Sequence, residues 1–286
     1  MTDAADDDYF VETSITAFSE DDIKEGEYEL EYKIAEEWRK SLLVDDEPAE
    51  TFDEIYNKAV AETPATSLGI RVPILPSIVI HNAAEIAELR ESRRPYWTDD
   101  YTSLEDIIID EQIAAGSTHI VVQHGSITHI EADCIVSSVS HSLIKMPGID
   151  TAIRTVGGDI INNQLNEYAA ADKHIKSGNT YLTDGGRLPA AYVIHCVVDN
   201  SLIDLRTCYL NALDMAAAAG FRTIAFCGLA MGRGGMIEKA ANTAAKTIAL
   251  WISDHPGAMD VIALLGFQVH EWRAIYACAR NYLHII

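Results

Sequence analysis

The sequence predicts an α/β protein: a three-layer α/β/α sandwich preceded by an acidic, mainly helical N-terminal extension. Three observations predict it. In the C-terminal part, apolar runs of strand length alternate with helix-length segments. Those runs are rich in Val and Ile and show no polar alternation, the pattern of strands covered on both faces. Charge changes abruptly along the chain: residues 1–120 carry 30 Asp and Glu against 9 Lys and Arg, whereas residues 121–286 carry 14 against 12. The extension is therefore assigned to residues 1–116 and the sandwich to residues 117–286. A hydrophobic content of 48% over 286 residues is ample for one large or two modest domains.

The elements follow in order. Residues 1–20 are acidic and weakly patterned. Residues 21–43 have a charged helical pattern with Ile23, Leu30, Ile34 and Trp38 as apolar points, and residues 51–61 continue helical. Pro73 and Pro76 in RVPILPSIVI break helix and predict an extended link. Residues 82–91 read as helix, and RRPYWTDDYTS as a loop with aromatic anchors. Thr102 or Ser103 is placed to cap a helix over SLEDIIIDEQIAAG that ends at Gly116. Strands are then predicted at HIVVQ, CIVSS, NTYLT, AAYVIHCVV, TIAFCGLA and DVIALLGF. Helices are predicted from Ile149, within residues 159–174, over 202–219 closed by Gly220, and over 237–253 and 271–283.

Composition excludes several classes. The net charge of −23 repels nucleic acid and anionic membrane. The acid excess reads as a solvated surface or as a docking surface for a basic partner. No apolar run reaches the ~18 residues of a membrane span. The start MTDAADDDYF lacks a basic, apolar secretory signal, so a cytoplasmic location is expected. The five cysteines, Cys134, Cys196, Cys208, Cys227 and Cys278, form no CxxC pair and read as buried reduced thiols.

Two strand-then-loop segments stand ahead of helices: EADCIVSSVSHSLIKMPGIDTAIR at residues 131–154 and IAFCGLAMGRGG at residues 224–235. Such loops aim backbone N–H groups and a helix N-terminus at a phosphate. GSITHIEADCIVSSVSHSL, KMPGIDTAIRTVGG, RLPAAYVIHCV and TIAFCGLAMGRGGMIEKAANTAAKTI, in that order over residues 118–267, resemble the macro domain, the ADP-ribose-binding α/β/α module. The leader LRESRRPYWTDDYTSLEDIIIDEQIAAG is loosely similar to the helical extension of the zinc-containing bacterial ADP-ribosyl hydrolases. That class binds its metal through Cys and His in an insertion. Here HSLIKMPGIDTAIR is shorter and holds no Cys, so neither a metal nor another cofactor is expected.

The resemblance implies a ligand site at Ser126 and Ile127, Ser137 and Ser140, Gly148 and Ile149, and Met231, Gly232, Arg233, Gly234 and Gly235. Ser126 stands where the family's Asp binds the adenine amino group, and it accepts a hydrogen bond without the charge that strengthens one. Ser137 and Ser140 stand where two family Asn lie near the distal ribose, and the longer amide is gone. Lys145, Met146 and Pro147 replace three glycines. Pro147 donates no backbone hydrogen bond, and Lys145 reads as a phosphate contact or a solvated loop lysine. The second loop keeps three glycines, but its stacking aromatic is replaced by Gly234. Arg233 reads as a diphosphate clamp or a surface arginine. Asp150 is the catalytic candidate, positioning a water; the same residue reads as a helix-start acid complementing the macrodipole. His141 is an acid–base candidate or an exposed ring, and His195 a core residue.

Three functions remain open at this level. One is binding of ADP-ribose or a related nucleotide diphosphate. The second is a hydrolase that removes ADP-ribose from a modified protein through Asp150. The third is an eroded fold kept for protein interaction, with the acidic leader as its contact surface. Oligomeric state is not legible.

Overall fold

The computed structural model describes residues 74–97, 100–106, 117–172, 174–198, 201–232, 236–283 and 285. The helices expected over residues 21–43 and 51–61 lie outside this set. So do most of the helix expected after Ser103 and the residues Arg233, Gly234 and Gly235.

A six-stranded sheet forms the centre. Its strands are β2 (His119–His124), β4 (Cys134–Val139), β5 (Thr180–Asp184), β6 (Tyr192–Val197), β7 (Thr223–Cys227) and β8 (Val261–Gly266). Their order is β2-β8-β7-β4-β6-β5. All neighbours are parallel except β5, which runs antiparallel to β6. Every residue of β6 and β8 is buried, which explains why these runs carry no polar alternation. Between the strands lie α2 (Ile149–Gly157), α3 (Asp159–Ala171), α4 (Leu202–Ala218), α5 (Ile237–Asp254) and α6 (Val269–Tyr282).

The two faces of the sheet separate along β6. Cys196 is covered by Cys208 of α4, whose sulfur reaches the carbonyl of Val197 at 3.4 Å. His195, the next residue back, turns to the opposite face, where Tyr181 of β5 meets Tyr168 of α3 ring to ring at 5.0 Å. Helices α4, α5 and α6 pack side by side on the first face. The α/β/α layering expected from the sequence is thus the architecture.

Local signals account for the element ends. Asn82 and Glu85 form a capping box on α1 (Ala83–Arg93). Ser201 caps α4, and Gly220 at φ +79° follows its end. Gly158 at φ +89° both ends α2 and begins α3. Ser103 accepts from the N–H of Asp106 at 3.4 Å, as a helix cap does, yet it also lies in a short strand. That strand, β1 (Thr102–Ser103), pairs in parallel with β3 (Ile130–Glu131) and was not expected.

Of the extension assigned to residues 1–116, the described residues pack with the sandwich, and all described residues fall in one compact unit, Phe52–Ile286. The Tyr192 hydroxyl donates to the carbonyl of Val79 at 2.8 Å and accepts from the N–H of His81 at 3.0 Å. The Tyr168 hydroxyl accepts from the N–H of Leu75 at 3.1 Å. Arg93 donates to the carbonyls of Ala190 and Ala191, both at 3.2 Å. Arg90, buried on α1, faces Glu105, Glu131 and Asp133, the last two at 3.8 Å. Leu104 is fully buried in the same core as the sheet. The late leader is joined to the sandwich through these contacts.

Candidate functional site

Strands β4 and β7 are neighbours at the middle of the sheet. From β4 the chain proceeds to β5 and β6 on one side, and from β7 to β8 on the other. The crevice outside the carboxyl ends of such a pair is where open α/β sheets take their ligands. Two loops border it here, residues 140–148 after β4 and, among the described residues, 228–232 after β7. Each leads into a helix whose first turn has no side-chain cap: α2 behind Gly148 and α5 behind Met236. By contrast α1 is capped by Asn82 and α4 by Ser201, and at the start of α6 the Glu271 carboxylate accepts from the N–H groups of Phe267 and Gln268; α3 also begins without a side-chain cap, behind Gly158 at the far end of α2. The unpaired N–H groups of a helix start and the positive end of its dipole attract an anion.

The first loop is held in a particular shape by the helix it feeds. Asp150 is 1% exposed. One of its oxygens accepts from the N–H of Met146 at 2.7 Å, the other from Nε of Arg154 at 2.6 Å. Arg154, 3% exposed, also donates to the carbonyl of Leu143 at 3.0 Å and to Asn162 Oδ1 at 3.3 Å. The Thr151 hydroxyl donates to the carbonyl of Met146 at 2.6 Å. Leu143 has φ +53°, a region that residues other than glycine enter at a cost. Gly148, at φ +93° and with open space where a side chain would stand, brings bare backbone to the rim. Outward from this frame, His141 and Lys145 are exposed, and Lys145 Nζ donates to Thr155 Oγ1 at 3.3 Å.

The second loop carries the same kind of strain at Ala230, φ +63°. Met231 turns inward and is 2% exposed. A Cβ at Gly228 would stand 2.6 Å from its sulfur, so Gly228 is glycine because Met231 fills the space beneath it. The neighbouring Cys227 thiol is pushed up to about 12, by burial first and by the Glu271 carboxylate second. At that value it is no nucleophile near neutral pH.

A third border lies at the ends of β2 and β8. The N–H of Gly125 donates to the carbonyl of Gly266 at 3.1 Å, which places Ser126 beside Phe267. The Ser126 oxygen accepts from the N–H of Thr128 at 3.4 Å and lies 2.8 Å from the Thr128 hydroxyl. Phe267 is 64% exposed. An aromatic left in water at the rim of a crevice offers a flat apolar face for stacking. The sequence reading passed over Phe267. Its only sequence signal was an aromatic directly after a buried strand run.

The expected site residues thus divide in two. Ser140, Gly148 and Ile149 lie on the first loop and the start of α2, Ser126 at the third border, and Gly232, exposed, on the second loop. Ser137, Ile127, Met231 and Asp150 are buried, so their side chains belong to the wall behind the crevice. Arg233, Gly234 and Gly235 lie outside the described residues. His195 is fully buried with its Nε2 2.9 Å from the Thr183 hydroxyl. Burial first, and then the Arg154 charge, lowers its pKa to about 3. Arg154 itself was missed, although its position four residues after Asp150 on a helix is a readable pairing signal. Among the described residues no helix is long and apolar enough to cross a membrane, and no three His, Cys, Asp or Glu gather as metal ligands.

Comparison with known proteins gives a consistent picture. Residues 136–245 match the macro domain family. The O-acetyl-ADP-ribose deacetylase of Citrobacter koseri is 31% identical over 146 residues, which cover 48% of this chain and 82% of that protein. The ADP-ribose glycohydrolase MACROD1 of Mus musculus is 29% identical over 157 residues, 52% of this chain and 47% of that protein. The chain spans about half the length of the mammalian relatives it matches. Among solved structures, the Trypanosoma brucei macrodomain in complex with ADP superposes with a TM-score of 0.58 at 24% identity, covering 72% of this chain and 91% of that one.

Proposed function

This chain belongs to the macro domain family, and from that premise we propose that its crevice binds ADP-ribose or a closely related nucleoside diphosphate. One observation carries the reading: α2 and α5, the helices behind the two loops of the crevice, both begin without a side-chain cap. Two bare helix starts facing one crevice fit a diphosphate, which presents adjacent anionic groups. Phe267 beside Ser126 fits a base at the far end, stacked on the ring and hydrogen-bonded by the hydroxyl or nearby backbone. The bacterial and mouse relatives are both named for ADP-ribose or its acetyl ester, which supports the same ligand.

Both names are those of hydrolases, which favours a second reading, hydrolysis of an ADP-ribose derivative; an ADP-ribosylated protein is the substrate to test. The setting of Asp150 weighs toward binding without turnover, because its carboxylate is buried and held by Met146 and Arg154 behind the crevice wall. A general base must lie within hydrogen-bond reach of the proton it takes, directly or through one water.

Calorimetric titration with ADP-ribose, ADP and NAD side by side tests the proposal. Saturable heat with ADP-ribose and ADP is expected. Silence, together with an unchanged melting temperature at millimolar ligand, overturns the proposal and leaves protein interaction as the remaining role. Incubation with ADP-ribosylated protein separates the two readings. ADP-ribose released by the native protein establishes turnover, and release lost in Asp150→Asn at saturating ligand assigns it to Asp150.

A further inference from the structure

We infer that Arg154 is a positioning residue of the crevice: through Asp150 and Leu143 it clamps the loop that presents the bare start of α2. The inference rests on the nucleotide-binding reading above. It gives that reading a residue outside the loops.

Arg154 sits in the second turn of α2, and its guanidinium is out of water. Burying an arginine is costly unless its donors are met, and three of its nitrogens reach partners on three segments. Nε goes to Asp150 one turn back, Nη2 to the carbonyl of Leu143 on the loop, and Nη1 to Asn162 on α3. Asp150 passes the grip on, since its second oxygen takes the N–H of Met146. The loop is therefore held at two backbone points three residues apart, one carbonyl and one N–H, by a single ion pair. Leu143 needs this hold. Its left-handed backbone is one that leucine adopts only when its surroundings insist. Its side chain is 1% exposed, anchored in the core, while its carbonyl is anchored by Arg154.

The consequence reaches the ligand through the backbone. The residues between the clamp points and α2 are Pro147 and Gly148, which set the direction of the first N–H groups of the helix. Asp150, occupied on both sides, then acts on the ligand by shaping the loop.

The test uses the full chain with Arg154→Lys and Arg154→Met. Arg222→Lys is the control for general loosening, because Arg222 makes several contacts, to Asp260, Gly257 and Ala258, at the opposite end of the sheet. ADP-ribose is titrated calorimetrically, and the backbone amides of residues 143–151 are followed by NMR. In both Arg154 variants affinity falls roughly 10- to 100-fold, the fold-change of one or two charge-assisted hydrogen bonds, and the Met146 amide resonance moves. Arg222→Lys lowers the melting temperature and leaves affinity and the Met146 resonance in place. Lysine keeps a charge beside Asp150 but lacks the fork that also reaches Leu143, so Arg154→Lys decides the matter if the methionine variant does not fold. A folded Arg154→Lys protein with native affinity and an unmoved Met146 amide overturns the assignment. If the native protein gives no heat with ADP-ribose, it is the nucleotide reading that falls, and the Met146 resonance alone then decides the clamp.

Discussion

His195 shows how far a single residue's setting moves its chemistry. Its ring sits on β6 beneath α2, fully buried, with Arg154 as the nearby charge. Both burial and that cation disfavour a second positive charge, hence the value of about 3. In the unfolded chain the ring titrates near 6.5. Because the folded value is the lower one, the unfolded state binds the proton first as pH falls. The contribution to stability is present above about 6.5 and is lost progressively toward about 3. The expected slope from this group is about 1.4 kcal/mol per pH unit within that window. Urea unfolding at several pH values checks it: His195→Gln flattens the acid limb between pH 6 and 4. An identical slope in the variant contradicts the assignment. The same local logic separates Asp150 from Arg154 as legible features. A helix-start acid was readable, and so was an i, i+4 partner. Whether the carboxylate faces the crevice or turns back to Met146 depends on how the loop packs, which no residue spacing states.

At the scale of elements, the informative case is the leader. Its acid-rich composition marked it as something separate from the sandwich, but composition reports solvent preference averaged over a segment. It does not report which few side chains are buried. Arg90, Leu104 and the backbone around Val79 and His81 join the sheet's own core and polar contacts. Two core tyrosines, Tyr168 and Tyr192, use leader backbone as their hydroxyl partners. A chain shortened to begin at residue 117 takes Val79 and His81 from the Tyr192 hydroxyl, Leu75 from the Tyr168 hydroxyl and the Arg90 charge from Glu131 and Asp133. Each buried polar group so exposed or orphaned costs about 1–3 kcal/mol. Such a chain is expected to unfold non-cooperatively or to aggregate, whereas one beginning at residue 74 retains a single cooperative transition. Calorimetric scans of the two compare them directly, and equal melting temperatures contradict the integrated leader. The strand runs, in contrast, were legible because burial on both faces is written into the run itself as uninterrupted Val, Ile, Ala and Cys. The pairing of β1 with β3 was not, because strands of two residues carry no periodicity.

The whole molecule carries a net charge of −23, nearly all of it ahead of residue 121. A field of that sign repels polyanions at distances up to about a Debye length, ~10 Å at 0.1 M salt. We therefore expect no retention of nucleic acid, even at low ionic strength where non-specific binding is strongest. Gel-shift titration with single- and double-stranded DNA and RNA at low salt shows no shifted band. A shift that disappears as salt rises contradicts this. A small diphosphate meets a different balance. It is drawn by N–H groups within hydrogen-bond range, where local geometry outweighs net charge, so the acidity of the chain and the anion-directed crevice are compatible.

The order of strands and helices, their double-sided burial and the two loops ahead of bare helix starts were determined by the sequence alone, because each is a local pattern of apolar period, glycine and cap residues. Tertiary structure alone decided that the late leader belongs to the core, that Met231 and Ser137 face inward, that Phe267 stands exposed beside Ser126, and that Asp150 and Arg154 grip the first loop. The physical reason is common to all four. Which way a side chain turns is set by competition for buried space and hydrogen-bond partners between segments far apart in the chain, and that competition takes place only once the sheet brings them together.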